Sequence, residues 1–179
     1  MHTLTPQPQD AFGARHKRWR LLPVESGMPQ TITITRRLEF DAGHRLPNHK
    51  SQCRNIHGHR YALEISLTAE VIHEDGAADD GMVMDFGDIK RIAQEKVVEL
   101  WDHAFLVYRG DKVMVDFLAA ISGHKTVILD VVPTAENLAK VSFGILQHAY
   151  RDRFGHELKL TRVRLYETPN CWADALVGV

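Results

Sequence analysis

One short segment carries a cysteine and, three intervening residues later, two histidines separated by a glycine: Cys53-Arg-Asn-Ile-His57-Gly-His59. Side chains at alternate positions of a β-strand point to the same side, about 7 Å apart at roughly 3.4 Å per residue, so these two imidazoles can converge on one ion. His44 ends an earlier alternating segment and has the parity to face the same way if the two segments pair as a hairpin. Three neutral imidazoles leave a metal ion with an open coordination position, which is typical of catalytic zinc.

Cys53 lies just before the histidine pair, close to the proposed cation, where a thiolate is favoured over a thiol. It is therefore a candidate base or nucleophile, and a small buried apolar side chain is the alternative interpretation. Cys171 stands in a polar turn and is interpreted as a bystander. We expect both cysteines to be free thiols in a reducing compartment.

Ionisable side chains also stand at the predicted end of a helix and at the predicted end of a strand. His103 can transfer a proton near neutral pH, with Asp102 or another acid fixing its tautomer, and simple helix-end capping is the alternative. Because adjacent residues do not face each other as an i,i+4 pair does, the two need not bond directly. Glu167 has the inward parity of a strand, where a carboxylate is costly without N–H donors, and an exposed strand-end glutamate is the alternative.

The hydrophobic pattern predicts the elements that must position these residues. Strict alternation predicts one strand over Thr31–His44 and a second over His57–Ile72, with the histidines on the inward faces. Amphipathic spacing predicts a helix that begins after the N-cap Asp85 and ends near Trp101, and a second helix that begins after the N-cap Thr134.

The rest of the chain contains weaker signals and then returns to strands. We expect a short helix near residues 112–121, a strand at residues 127–132, an inward face from Val163 to Glu167, a turn at 168–170, and a closing strand at 172–179. The order of two strands, two helices and two strands predicts an α+β domain, with a four-stranded antiparallel sheet and two helices on one face.

The composition fits one globular domain of 179 residues, with 44% hydrophobic and 25% charged residues. A net charge of -1 gives no global attraction to nucleic acid or anionic membranes, so we expect neither as a partner. No signal peptide or run of about 18 apolar residues is present, which favours a cytoplasmic location. Residues 1–30 contain a basic cluster and no apolar periodicity, so we interpret them as a flexible N-terminal arm before a domain of residues 31–179, with Met28 a second candidate start of translation.

Five short motifs stand in a fixed order along the chain and together resemble the 6-pyruvoyltetrahydropterin synthase superfamily. Its pattern of F-x-A-x-H, C…H-G-H, D-H, P-T-x-E and E-T is matched by Phe40–His44, Cys53–His59, Asp102-His103, Pro133–Glu136 and Glu167-Thr168. The chain departs from this pattern where Asp-His continues into Ala104-Phe-Leu-Val, and residues 108–132 form a longer connection.

The resemblance implies the tunnelling fold (T-fold), in which subunits join their sheets into a barrel, and dimers of trimers form hexamers with active sites between chains. It also implies one role for each motif residue: zinc ligands His44, His57 and His59, proton acceptor Cys53, relay partner His103 assisted by Asp102, pterin anchor Glu167, and a further substrate contact at Thr134.

The resemblance further implies a lyase that acts on 7,8-dihydroneopterin triphosphate. The short spacing between Cys53 and His57 is that of the bacterial 6-carboxytetrahydropterin synthases, carbon–carbon lyases that serve 7-deazaguanine and queuosine biosynthesis. A carbon–oxygen lyase that forms 6-pyruvoyltetrahydropterin is the alternative. Alternatives of other classes are a structural zinc module with Cys53 as fourth ligand, and a zinc hydrolase, for which the sequence offers no H-E-x-x-H motif.

Overall fold

The computed structural model describes residues 31–178, so the expected arm of residues 1–30 and the terminal Val179 lie outside the described residues. Within residues 31–178, no helix is both long enough and apolar enough to cross a membrane. The strands are β1 (Thr31–His44), β2 (His57–Glu70), β3 (Ala104–Tyr108), β4 (Thr126–Leu129), β5 (Lys159–Thr168) and β6 (Cys171–Leu176). The α-helices are α1 (Phe86–Ala93), α2 (Glu99–Trp101), α3 (Lys112–Ala119) and α4 (Ala135–Phe154).

A long hairpin forms the centre of the fold. β1 and β2 pair antiparallel over their full length, with His44 opposite His57 and Ala42 opposite His59. Because residues opposite each other across a pair project to the same face, this register directs all three imidazoles to one side of the sheet. The hairpin that the metal-site prediction required is therefore confirmed.

The sheet contains six strands in the order β4-β3-β1-β2-β5-β6. β1, β2, β5 and β6 pair antiparallel, whereas β3 pairs with β1 and β4 with β3 in parallel. The prediction of a four-stranded sheet is therefore wrong in number, because β3 and β4 add two parallel strands, whereas the antiparallel pairing of the other four strands is as predicted. The sequence did not predict β3, because its short apolar run is buried almost throughout. It therefore lacks the alternation that marks a half-buried strand.

Helices cover both faces of this sheet. α1 and α4 share the main hydrophobic core with β1, β2 and β5, as expected for two helices on one face. On β3, Leu106 belongs to that core, while Phe105 and Val107 cluster with Met114 and Leu118 of α3. Since neighbouring residues of a strand point to opposite faces, α3 packs on the other side.

The two predicted helix N-caps are confirmed. The side chain of Asp85 accepts a hydrogen bond from the Gly87 amide, and Thr134 Oγ1 accepts one from the Asn137 amide at 3.3 Å. A π-helical turn at Gln94–Val98 joins α1 to α2.

The π turn changes which residues face the core, because its wider turn shifts the helical phase. Trp101 is 2% exposed and lies in the core, whereas Leu100, which the regular spacing predicts to be inward, is 54% exposed.

The loop between β1 and β2 is fixed at two points. A 3-10 turn at Gln52–Arg54 contains Cys53, whose carbonyl accepts a hydrogen bond of 2.8 Å from the Leu46 amide. Arg45 donates two hydrogen bonds, of 2.6 and 2.7 Å, to the buried carboxylate of Asp111, the N-cap of α3. The loop that carries the thiol is thereby attached to the connection between β3 and β4.

Candidate metal and catalytic centre

The three predicted metal ligands converge at one end of the central hairpin. A ring nitrogen from each of His44, His57 and His59 lies within 4.8 Å of the other two. His44 is fully buried, and the other two rings are partly exposed. The Nε2 atoms of His44 and His57 are 3.0 Å apart.

Main-chain carbonyls fix the tautomers of two of these rings. His44 Nδ1 lies 2.7 Å from the Pro133 carbonyl oxygen, and His57 Nδ1 lies 2.8 Å from that of Asn55. Because a carbonyl oxygen can only accept, each Nδ1 donates its proton, and in the neutral form of each ring Nε2 then presents a lone pair. Two lone pairs at this distance repel each other unless a cation lies between them.

The third ring gives independent support for a cation at this position. His59 Nε2 is buried and has no hydrogen-bond partner among the described residues. A buried polar atom without a partner requires an explanation, and metal ligation supplies one. Three neutral imidazole nitrogens fit a zinc ion with an open coordination position.

Burial keeps two rings of the triad, His44 and His59, in the protonation state that metal binding needs. It lowers the pKa of His44 to about 4, against the opposing effect of the hydrogen bond to the Pro133 carbonyl. Burial also lowers the pKa of His59, although the nearby Glu167 carboxylate works in the other direction. Both rings are therefore neutral at pH 7, with a lone pair available to a metal ion.

We expect the metal-free protein to lose stability as the pH falls from 6.5 towards about 4. The unfolded chain binds a proton at His44 near pH 6.5, whereas the folded chain binds it only near the lower value, so acid favours unfolding. The free energy of unfolding should fall by up to about 3 kcal/mol through this residue. Urea denaturation of EDTA-treated protein at pH 7 and 4.5 measures the change.

The matched variant for this measurement is His44→Asn. Its amide can still donate to the Pro133 carbonyl, but the side chain takes up no proton. The variant should show a weaker loss of stability between the two pH values, by the amount assigned to His44. An equal loss in both proteins would show that His44 is not the source.

Glu167 lies beside the triad, on the inward face predicted for it. Its Oε1 atom is 3.5 Å from His44 Nε2 and 3.8 Å from His59 Nε2, and its side chain is 25% exposed. These are distances to ring nitrogens and not to an ion, and the group of described ligand atoms close enough to hold one ion does not include Glu167, so the carboxylate borders the metal position. It is free to accept N–H donors from a ligand.

Cys53 is partly buried in the 3-10 turn before β2. Within residues 31–178, the group of side chains whose ligand atoms lie close enough to hold one ion consists of the three histidines and does not include Cys53. A closed structural site with a thiolate as fourth ligand is therefore not formed in this arrangement.

Asp102 and His103 bond to each other directly, which their adjacency in sequence did not lead us to expect. His103 Nδ1 lies 2.8 Å from Asp102 Oδ2. His103 has a φ of 56°, and it is the one non-glycine residue with positive φ in the described part of the chain. A hydrogen bond from the Asp41 amide, together with that from His103, lowers the pKa of Asp102. The ionised carboxylate holds the proton on Nδ1 and leaves His103 Nε2 free.

This pair lies next to Asp41 of the central hairpin. Asp41 and Arg60 stand opposite each other one position from Ala42 and His59, so their side chains lie on the other face of the sheet. His103 lines a cleft with Asp41 and Arg60 and also with His57 and His59 of the triad, and its side chain is 78% exposed. Among the described residues, no hydrogen bond or ion pair links His103 to Cys53 or to the three histidines.

One residue at the centre was not singled out from the sequence. Tyr61 is fully buried, and its ring meets those of His44 and His59 edge-on, with centroids 5.9 and 5.6 Å apart. Its hydroxyl has no hydrogen-bond partner among residues 31–178, and burial raises its pKa. Its position in the strand could have identified Tyr61, because it continues the alternation of His57 and His59.

The chain is similar to pterin-synthesising enzymes in sequence and fold. Residues 33–176 match the family model of 6-pyruvoyl tetrahydropterin synthase. Over 144 residues, 80% of this chain and 99% of the relative, the sequence is 39% identical to the 6-carboxy-5,6,7,8-tetrahydropterin synthase of Rickettsia bellii.

Two solved structures show the same architecture. The 6-pyruvoyl tetrahydropterin synthase of Caenorhabditis elegans aligns with a TM-score of 0.55 at 25% identity, covering 83% of this chain and 96% of that one. An uncharacterized protein from Wolinella succinogenes aligns with a TM-score of 0.67 at 20% identity, covering 82% and 98%.

Proposed function

Because the chain belongs to the 6-pyruvoyl tetrahydropterin synthase family, we propose that it is a zinc-dependent lyase that converts 7,8-dihydroneopterin triphosphate and water to 6-carboxy-5,6,7,8-tetrahydropterin, acetaldehyde and triphosphate. The observation that carries the proposal is the convergence of three imidazole rings beside the Glu167 carboxylate. The name of the Rickettsia bellii relative supports the carboxy product. The reaction would serve 7-deazaguanine and queuosine biosynthesis in the cytoplasm.

Zinc would be held by His44, His57 and His59, whose ring nitrogens converge as described above. When bound, it supplies Lewis acidity, which stabilises negative charge on the substrate's side-chain oxygens and acidifies the adjoining C–H bonds. The protein's own contribution is to keep the rings neutral and oriented, through burial and the carbonyls of Pro133 and Asn55.

Glu167 would anchor the pterin ring. The 2-amino-pyrimidinone edge of a pterin offers two parallel N–H donors, and an ionised carboxylate accepts such a pair in strong charge-assisted hydrogen bonds. The position of Glu167 would bring the ring next to the triad. Thr134 stands beside Pro133, and while its oxygen caps α4, its hydroxyl proton remains available to a substrate oxygen.

Cys53 would remove one proton from the substrate side chain, and His103 would carry the second through its free Nε2. Since no hydrogen bond or ion pair links these two residues within the described chain, the proposal is that His103 of a neighbouring copy completes each centre. We therefore include assembly into a hexamer in the proposal. The sheet ends in the strands β4 and β6, each with one edge unpaired in the described chain, and such edges can pair with further copies.

Two alternatives remain distinct from this proposal. Formation of 6-pyruvoyltetrahydropterin would use the same zinc, thiol and carboxylate but would stop after triphosphate elimination. A zinc-binding module without turnover is the alternative of another class, and the position of Cys53 outside the group of ligand atoms argues against its closed form.

Incubation of the zinc-loaded protein with 7,8-dihydroneopterin triphosphate is expected to yield 6-carboxytetrahydropterin with an equimolar amount of acetaldehyde. Mass spectrometry identifies the pterin, and reduction by alcohol dehydrogenase with NADH quantifies the aldehyde. EDTA-treated protein is the control and should be inactive. Accumulation of 6-pyruvoyltetrahydropterin without acetaldehyde would assign the first alternative, and zinc binding without any turnover would favour the second.

A further inference from the structure

We infer that Lys125 is a positioning residue for the Asp102-His103 pair, and that it acts by fixing the main chain of the turn that carries them. This inference rests on the proposed function, in which His103 transfers a proton. It adds a residue that lies outside all five motifs and that contacts neither the metal position nor the Glu167 carboxylate.

The ammonium group of Lys125 holds the end of the helix before the turn. Its Nζ atom donates hydrogen bonds of 2.7 Å to the carbonyl of Glu99 and of 2.7 Å to the carbonyl of Asp102. The last carbonyls of a helix lack partners within the helix, and a cation there also meets the negative end of the helix dipole. The side chain therefore fixes the orientation of the peptide group that joins Asp102 to His103.

The main chain of Lys125 holds the other side of the same turn. Its carbonyl accepts a hydrogen bond of 2.9 Å from the Phe105 amide, where β3 begins to pair with β4. Lys125 thus contacts the chain both before and after His103. A single residue spans the turn.

Asp41 supports the turn from β1. Its amide donates to Asp102 Oδ1 at 2.9 Å, and its carbonyl accepts from the His103 amide at 2.6 Å. These contacts and those of Lys125 enclose the turn between two strands. Removal of the ammonium group would leave the support from Asp41 and free the Asp102 carbonyl to turn towards solvent.

The conformation that needs this support is the positive φ of His103. L-amino acids populate this region sparsely, and it persists when the surroundings hold it. The Asp102–His103 bond depends on it, and that bond fixes which ring nitrogen is free. Loss of the Lys125 contacts would therefore disturb the direction of the imidazole before it disturbed the fold, since the Lys125 side chain lies at the surface and outside the hydrophobic cores.

The test compares Lys125→Met with Lys125→Arg and with the control Lys90→Met, whose side chain is exposed on α1 and makes no hydrogen bond or ion pair with a described residue. Lys125→Met should lower kcat about tenfold with KM changed less than about twofold, because a misplaced proton donor costs rate more than binding. Arginine can also donate to two carbonyls, so Lys125→Arg should stay within about threefold of the parent. Lys90→Met should match the parent.

Hydrogen exchange at the His103 amide, measured by NMR on the intact protein, gives a readout that does not depend on turnover. Exchange should be about tenfold faster in Lys125→Met and unchanged in Lys125→Arg, with zinc content and the thermal midpoint unaltered in both. Unchanged kcat and exchange in Lys125→Met would overturn the inference, as would a fall in zinc content or thermal midpoint, or a loss in Lys125→Arg equal to that in Lys125→Met. If the parent lacks turnover but exchange responds as described, the proposed function fails while the positioning of the turn stands.

Discussion

Replacement of both His57 and His59 by alanine is expected to remove the zinc and abolish turnover in a protein that remains folded. Two of the three ligands would be lost, and the single imidazole of His44 cannot retain the ion against dialysis. The metal content should fall from about one ion per chain to less than about a tenth, and kcat to the background rate. Both side chains are partly exposed at the beginning of β2, so their truncation leaves no large cavity in the core.

Metal analysis after dialysis measures the loss, and circular dichroism checks the fold. The matched control is the double variant His73→Ala, His156→Ala, which removes two exposed histidines that do not belong to the ligand cluster. This control should keep its zinc and its activity. Full zinc occupancy in the His57→Ala, His59→Ala protein would contradict the metal site.

Cys53→Ala and His103→Ala are each expected to lose at least about a hundredfold in kcat, as removal of a general acid or base does. Both should keep their zinc, since neither residue belongs to the ligand cluster. Co-expression of the two inactive chains should then restore activity. A mixed assembly forms centres in which the intact thiol of one chain meets the intact imidazole of its neighbour.

Random mixing of the two variant chains determines how much activity is recovered. Each centre needs an intact Cys53 from one chain and an intact His103 from the next, so half times half, or about a quarter, of the parent activity is expected. Two affinity tags select the mixed assemblies. Mixing Cys53→Ala with the double variant Cys53→Ala, His103→Ala is the control and should stay inactive. If confirmed mixed assemblies recovered no activity, one chain would hold the complete centre. An active monomer found by light scattering would lead to the same conclusion.

The parts of the site that follow from strand alternation were predictable from the sequence. The shared face of His44, His57 and His59 and the inward position of Glu167 depend on local parity and on one antiparallel pairing, and the structure shows them as predicted. Both helix caps were predictable for a similar reason, because an N-cap is a contact between residues close in sequence.

The features that escaped prediction depend on contacts between distant segments. The apolar run of β3 gives no alternation to identify it, and its neighbours in the sheet lie far away in sequence. The direct Asp102–His103 bond requires a backbone conformation that β1 and Lys125 hold in place. The tautomers of His44 and His57 depend on the carbonyls of Pro133 and Asn55. The order of side-chain types along the sequence does not show where such main-chain groups will lie.

Because Arg45 is bonded to Asp111, the connection of residues 108–132 restrains the loop between β1 and β2. A surface connection that touches nothing can change in length at little cost, because loop-closure entropy grows slowly with the number of residues. This connection instead determines how much conformational freedom the Cys53 loop retains, since it supplies the buried carboxylate to which that loop is tied. Altering its length would loosen or tighten the thiol relative to the substrate without changing any residue of the site. Residues 108–132 are therefore a place at which preorganisation of the Cys53 loop can be tuned separately from its chemistry.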